Sequence, residues 1–197
     1  MKKTIDFIYK KETGFVTQAL MGDLVIVILL YALVIGAVYL IYTKNFSQSA
    51  VDERVRDIYQ QLIVNTGQSQ EALPLVIVES PEINAYNDGN NIVIYRGLID
   101  STESWDEVAL VLGHEIAHGM LWHLRMLNQW KSFNDQEVSV MEANADKLGA
   151  VYMMKAGYDV CKGREMFKHW KELRGNALAQ SHPDFSYRYD ELNINCN

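Results

Sequence analysis

Residues 24–43, LVIVILLYALVIGAVYLIYT, run for twenty positions without a charge, between Asp23 and Lys44. Wound into an α-helix at about 1.5 Å per residue, the run covers roughly 30 Å, the thickness of a bilayer's hydrocarbon core. A cleaved signal peptide would have an apolar region of only about 7 to 15 residues ending in a small-x-small site. SQSA at 47–50 is a poor match to such a site, so the run is expected to stay as a membrane anchor. The boundaries this implies are a short N-terminal segment at 1–23, a transmembrane helix at 24–43 and a folded domain at 44–197. Lys2, Lys3, Lys10 and Lys11 precede the span, while Lys44, Arg54 and Arg56 follow it. The positive-inside rule then predicts a cytoplasmic N-terminus, with the domain on the periplasmic or extracytoplasmic side.

The remainder is about one domain long, and 49% hydrophobic residues over 197 supply a core. Residues 44–197 carry 14 Lys and Arg against 22 Asp and Glu, a net charge of −8. That balance disfavours phosphate backbones, so nucleic acid is excluded as an expected partner. Cys161 and Cys196 have no zinc-ribbon spacing. In an oxidising compartment they permit a disulfide that would pin the C-terminal tail, and otherwise they read as two buried thiols.

Val51, Val55, Ile58, Tyr59, Leu62 and Ile63 recur at helical spacing and predict a helix over 50–64 leading into the domain. LPLVIVES, EINAYND and NNIVIYRG are short, β-branched runs separated by Pro81 and by an NDGNN turn at 87–91, and they predict a small sheet. Ser104 with Glu107 reads as a capping box opening a helix to about Met126. A second helix is expected between Asn134 and Gly157. Further helical segments at about 162–174 and 184–193 flank SHP at 181–183.

Within the first long helix lies VLGHEIAHGM, residues 111–120. Positions i and i+4 stand one turn apart on one helix face, so His114 and His118 can direct two imidazoles at one ion. Glu115 then lies beside the metal, where a general base for a water molecule belongs. Catalytic zinc takes three protein ligands and leaves one position open. His123 is rotated about 140° from His118 around the helix and is rejected as the third. Glu142 arrives on the second helix, with Asp146 one turn further on the same face. A carboxylate there can accept the outer N–H of a ligating histidine and fix its tautomer.

Taken in order, these motifs resemble the HtpX-like and CAAX prenyl endopeptidase family of zinc metallopeptidases, over roughly residues 50–193. INAYN with IVIYRGLI resembles the family's Asn-Ala strand, and LGHEIAHGMLWH its zinc helix. MEANADKLGAVYMMKAGYD resembles its E-x-x-A-D-x-x-G segment, and SHPDFSYRYDEL its His-Pro with an arginine six residues after the histidine. The resemblance implies His114, His118 and Glu142 as zinc ligands, Glu115 as base, and His182 with Arg188 near the scissile bond. The single predicted span is a departure, because those families carry several.

The expected fold is therefore α+β, a zincin-like metalloprotease domain with a small β-sheet and helices carrying HExxH and ExxxD, behind one transmembrane helix. The expected activity is that of a membrane-anchored, zinc-dependent endopeptidase acting on unfolded or loosely structured polypeptides in protein quality control. One Zn2+ per chain is the cofactor, and an extended substrate adds to the sheet edge near Asn84 and Ala85. Two alternatives stand beside this reading: a non-catalytic zinc-containing membrane adaptor, and a peptidase secreted after signal cleavage.

Overall fold

The computed structural model describes residues 2–67, 72–121, 134–174 and 185–192, together with Cys196. It divides into two units, Met1–Val51 and Asp52–Asn197. Helix α1 spans Lys2–Thr66. The predicted span and the predicted helix at 50–64 are thus parts of one element. Residues 44–49 contain neither Gly nor Pro to break it. In the first unit, apolar side chains from Leu24 to Tyr42 are exposed on every face of the helix, so this is not a core helix. Among the described residues it is the helix long and apolar enough to cross a membrane.

In the second unit α1 has a single buried stripe, Val55, Ile58, Tyr59, Leu62 and Ile63, at the spacing of one helix face. The Tyr59 hydroxyl donates to the Leu73 carbonyl, and burial pushes its pKa up to about 12. Three strands follow, β1 (Leu75–Val78), β2 (Ala85–Asn87) and β3 (Ile92–Tyr95). Their order is β1-β3-β2, with β1 parallel and β2 antiparallel to β3. Gly89 takes the left-handed conformation, φ 87°, in the turn between β2 and β3.

Strand β3 stops at Tyr95, and Arg96–Ser101 forms a short helix, α2, in place of the strand expected through Gly97. Gly97 lies so close to the Pro81 carbonyl that no Cβ fits there. Its N–H donates to the Ser80 carbonyl at 2.8 Å. Arg96 is buried and ion-paired to Asp52 and, at 2.9 Å, to Glu79, which joins α1 to the end of the sheet.

Helix α3 (Trp105–Met120) runs through the middle of the core, with Val108, Ala109, Leu110, Leu112 and Ala117 all inaccessible. The Ser104 hydroxyl accepts the Glu107 N–H as predicted, but the Glu107 carboxylate accepts from Glu103 rather than from Ser104. The expected extension of this helix to Met126, and with it His123, lies outside the described residues.

Helix α4 (Asp135–Lys155) opens on a complete capping box between Asn134 and Glu137 and ends at Gly157, φ 88°. Two helices, α5 (Val160–Gly163) and α6 (Met166–Arg174), stand where one was expected at 162–174. Helix α7 (Phe185–Glu191) follows. Cys161 and Cys196 lie at disulfide distance with Cα atoms 5.5 Å apart, connecting α5 to the segment beyond α7.

Helices α3 and α4 touch backbone to backbone at Gly113 and Gly149. A Cβ on Gly149 would meet the His114 nitrogen at 2.6 Å, and one on Gly113 would meet the Gly149 oxygen at 2.8 Å. Gly149→Ala should therefore force the helices apart and destabilise the domain by about 1–3 kcal/mol. For a domain of this size that lowers Tm by several degrees in a circular-dichroism melt. An unchanged Tm would show that the crossing tolerates a side chain.

Candidate metal centre

Because His114 follows Gly113 directly, the close helix crossing brings the histidine face of α3 onto α4. His114 is 4% exposed, Glu142 6% and Asp146 0%, so three polar groups are sealed between two helices. Buried groups of this kind persist only when paired or when binding an ion.

The pairing converges on one point. Nε2 of His114 and Nε2 of His118 approach to 2.9 Å. The Glu142 carboxylate oxygens lie 3.4 Å from the first and 3.3 Å from the second. Four ligands at about 2.0–2.1 Å from a tetrahedral centre stand about 3.3 Å from one another. Among the described residues, His114, His118 and Glu142 form the group whose donor atoms could hold a metal ion.

The remaining faces of the cluster are also satisfied. Nδ1 of His114 is 2.8 Å from Oδ1 of Asp146, which turns Nε2 toward His118 and Glu142. Arg188, on α7, grips the same carboxylate twice: Nε donates to Oδ2 at 2.7 Å and Nη2 to Oδ1 at 2.5 Å. Burial alone would raise Asp146, but the Arg188 guanidinium and the His114 ring hold it down at about 2. Burial and Arg188 oppose a charge on His114, yet Asp146 and Glu142 outweigh them and raise its pKa to about 10. A divalent cation entering this site has to displace that proton, so binding is coupled to proton release.

Glu115 is buried beside His114 and, with Asn84 and Ala85, lines a cavity next to the cluster. Ala85 begins β2, an edge strand of the sheet. His182 lies outside the described residues. Sequence reasoning missed Asn87, which is buried at the end of β2. Its Nδ2 donates to the Glu115 carbonyl at 3.0 Å, and its Oδ1 accepts the Gly89 N–H at 2.8 Å. The edge strand is thereby tied to the backbone of Glu115 itself.

Residues 49–138 match the model of peptidase family M48. Over that stretch the chain is similar to the metallopeptidases of this family. The mitochondrial metalloendopeptidase OMA1 of Bos taurus is 26% identical over 145 residues, covering 54% of this chain and 27% of that protein. The mitochondrial metalloendopeptidase OMA1 of Arabidopsis thaliana is 26% identical over 138 residues, 55% of this chain and 28% of its own length. The chain thus spans little more than a quarter of the length of these relatives. The M48 match ends before Glu142 and Asp146, so the carboxylate side of the centre is placed by the folding of α4 onto α3.

Asp146→Asn keeps the side-chain shape but removes the charge that faces both His114 and Arg188. Affinity for zinc should fall about 10- to 100-fold, read by titration against a competing chelator. Unchanged affinity would mean that Asp146 serves the fold and not the metal.

Proposed function

We propose that the chain is a zinc-dependent endopeptidase of the M48 type held at a membrane by the apolar part of α1, acting on unfolded or loosely structured polypeptides in protein quality control. The observation that carries the reading is the convergence of His114, His118 and Glu142 beside Glu115. Two imidazoles and one carboxylate are the protein ligands of an open catalytic zinc site. The domain boundaries that go with this reading are 1–23, 24–43 and 44–197, with the N-terminus on the cytoplasmic side.

His114, His118 and Glu142 would hold the zinc ion, which would supply Lewis acidity toward the scissile carbonyl and a water molecule. Glu115 takes the proton from the attacking water and delivers it to the amine nitrogen as the C–N bond breaks. Asp146 holds His114 with Nε2 toward the metal, and Arg188 balances the charge of Asp146 and lies close to the reacting atoms. His182 is assigned to the same site by motif resemblance alone. An extended substrate adds to β2 along Asn84 and Ala85, where main-chain pairing needs an unfolded segment and little sequence identity.

Glu115→Gln should abolish hydrolysis of an unfolded protein such as casein while zinc content stays at the wild-type level, because the base is lost and the ligands remain. Loss of metal from this variant would overturn the assigned role. Glu142→Ala should lower zinc occupancy and thermal stability together. Full occupancy with full activity would remove Glu142 from the ligand set.

A further inference from the structure

The side chain of Asn87 joins strand β2 to the turn of α3 that carries Glu115 and His118. In the antiparallel pair with β3, the Tyr95 N–H donates to the Asn84 carbonyl at 3.0 Å and the Asp88 N–H to the Asn91 carbonyl at 3.1 Å. Tyr86 stands opposite Val93 between them. Alternate residues therefore carry the ladder, and the main-chain groups of Ala85 and Asn87 are turned away from β3, toward the edge of the sheet. Asn87 is thus both a rung to which an extended chain can pair and the residue that fastens this edge to α3. We infer that Asn87 is a positioning residue, whose side-chain amide sets the distance between a polypeptide lying along β2 and the carboxylate of Glu115. The inference rests on the peptidase reading.

The two partners of this side chain call for an amide. Nδ2 donates to the Glu115 carbonyl at 3.0 Å, and Oδ1 accepts the Gly89 N–H at 2.8 Å. A carbonyl can only accept and an N–H can only donate, so one planar group must offer a donor on one side and an acceptor on the other. A carboxylate would offer two acceptors, and an aliphatic side chain neither. Room for the amide comes from Gly119, where a Cβ would meet Nδ2 at 3.1 Å. Gly119 follows the ligand His118 directly and lies one turn beyond Glu115. Asn87 is 7% exposed, so little water reaches the bond to compete for it. Without that bond the edge strand and the helix are free to part. A misplacement of about 1 Å between reacting groups costs about 100-fold in rate.

The test compares Asn87→Asp and Asn87→Ser with the wild type, as purified protein in detergent, on unfolded casein and on a fluorogenic peptide cut from it. Asn87→Asp keeps the acceptor for the Gly89 N–H and loses the donor to Glu115. Asn87→Ser keeps a hydroxyl for the same turn, is too short to reach α3 and brings in no charge, so it decides the question where the aspartate charge prevents folding. Zinc content and a circular-dichroism melt identify the folded, loaded fraction, and rates are taken per loaded protein. Both variants should lose about 10- to 100-fold in kcat, with KM within about twofold of the wild type. A residue serving the fold alone would lower Tm and leave the kcat of the loaded fraction unchanged. That result, or a rise in KM with kcat unmoved, would overturn the inference while the peptidase reading stands. A wild-type protein that cleaves neither substrate would overturn the peptidase reading and this inference with it.

Discussion

Two glycines in contact, Gly113 on α3 and Gly149 on α4, set the distance on which the metal centre depends. With no side chain between them the helix backbones meet, and residues one position away on α3 and one or two turns back on α4 share a buried space. His114 and His118 come from one helix, Glu142 and Asp146 from the other. Neither helix alone could surround an ion, since each presents one face. A Cβ at the crossing would separate the pairs by more than the few tenths of an ångström that metal coordination tolerates.

Close approach has an electrostatic cost, because it places two carboxylates and a histidine where water does not reach. Arg188 offsets part of it from α7, with two charge-assisted hydrogen bonds to Asp146. Asp146 in turn orients His114. The segment beyond α7 lies at disulfide distance from α5 through Cys196 and Cys161, and α5 meets α3, where the Gly163 backbone lies close to the Asp106 carbonyl. Helix α7 is thus drawn into the support of His114. On the opposite side, Asn87 fastens the edge strand to the carbonyl of Glu115. Strand β2, Glu115 and the cluster of His114, His118 and Glu142 therefore form one framework.

Much of this was legible in the residues because it follows from local spacing. The i, i+4 relation of His114 to His118, and of Glu142 to Asp146, needs only a helix, and both helices carry capping residues at their starts. The buried stripe from Val55 to Ile63 is equally periodic. What escaped depends on contacts between distant segments. Helix α2 begins one residue after β3 with no turn signal, and Gly97 there answers to the Pro81 backbone. Asn87 sits in an NDGNN stretch that reads as a turn, and it does cap that turn through Gly89. Its other bond, to α3, has no local signature. Arg188 was reached through a motif resemblance, and its bidentate hold on Asp146 spans 42 residues of sequence.

X-ray absorption at the zinc edge of the purified protein tests most directly a zinc ion shared by His114, His118 and Glu142. The expected result is one zinc per chain in a shell of two imidazole nitrogens and carboxylate or water oxygens at about 2.0–2.2 Å, with no sulfur. His118→Ala should lose that signal. A protein that binds no zinc, or one whose zinc shell is unchanged in His118→Ala, would contradict it.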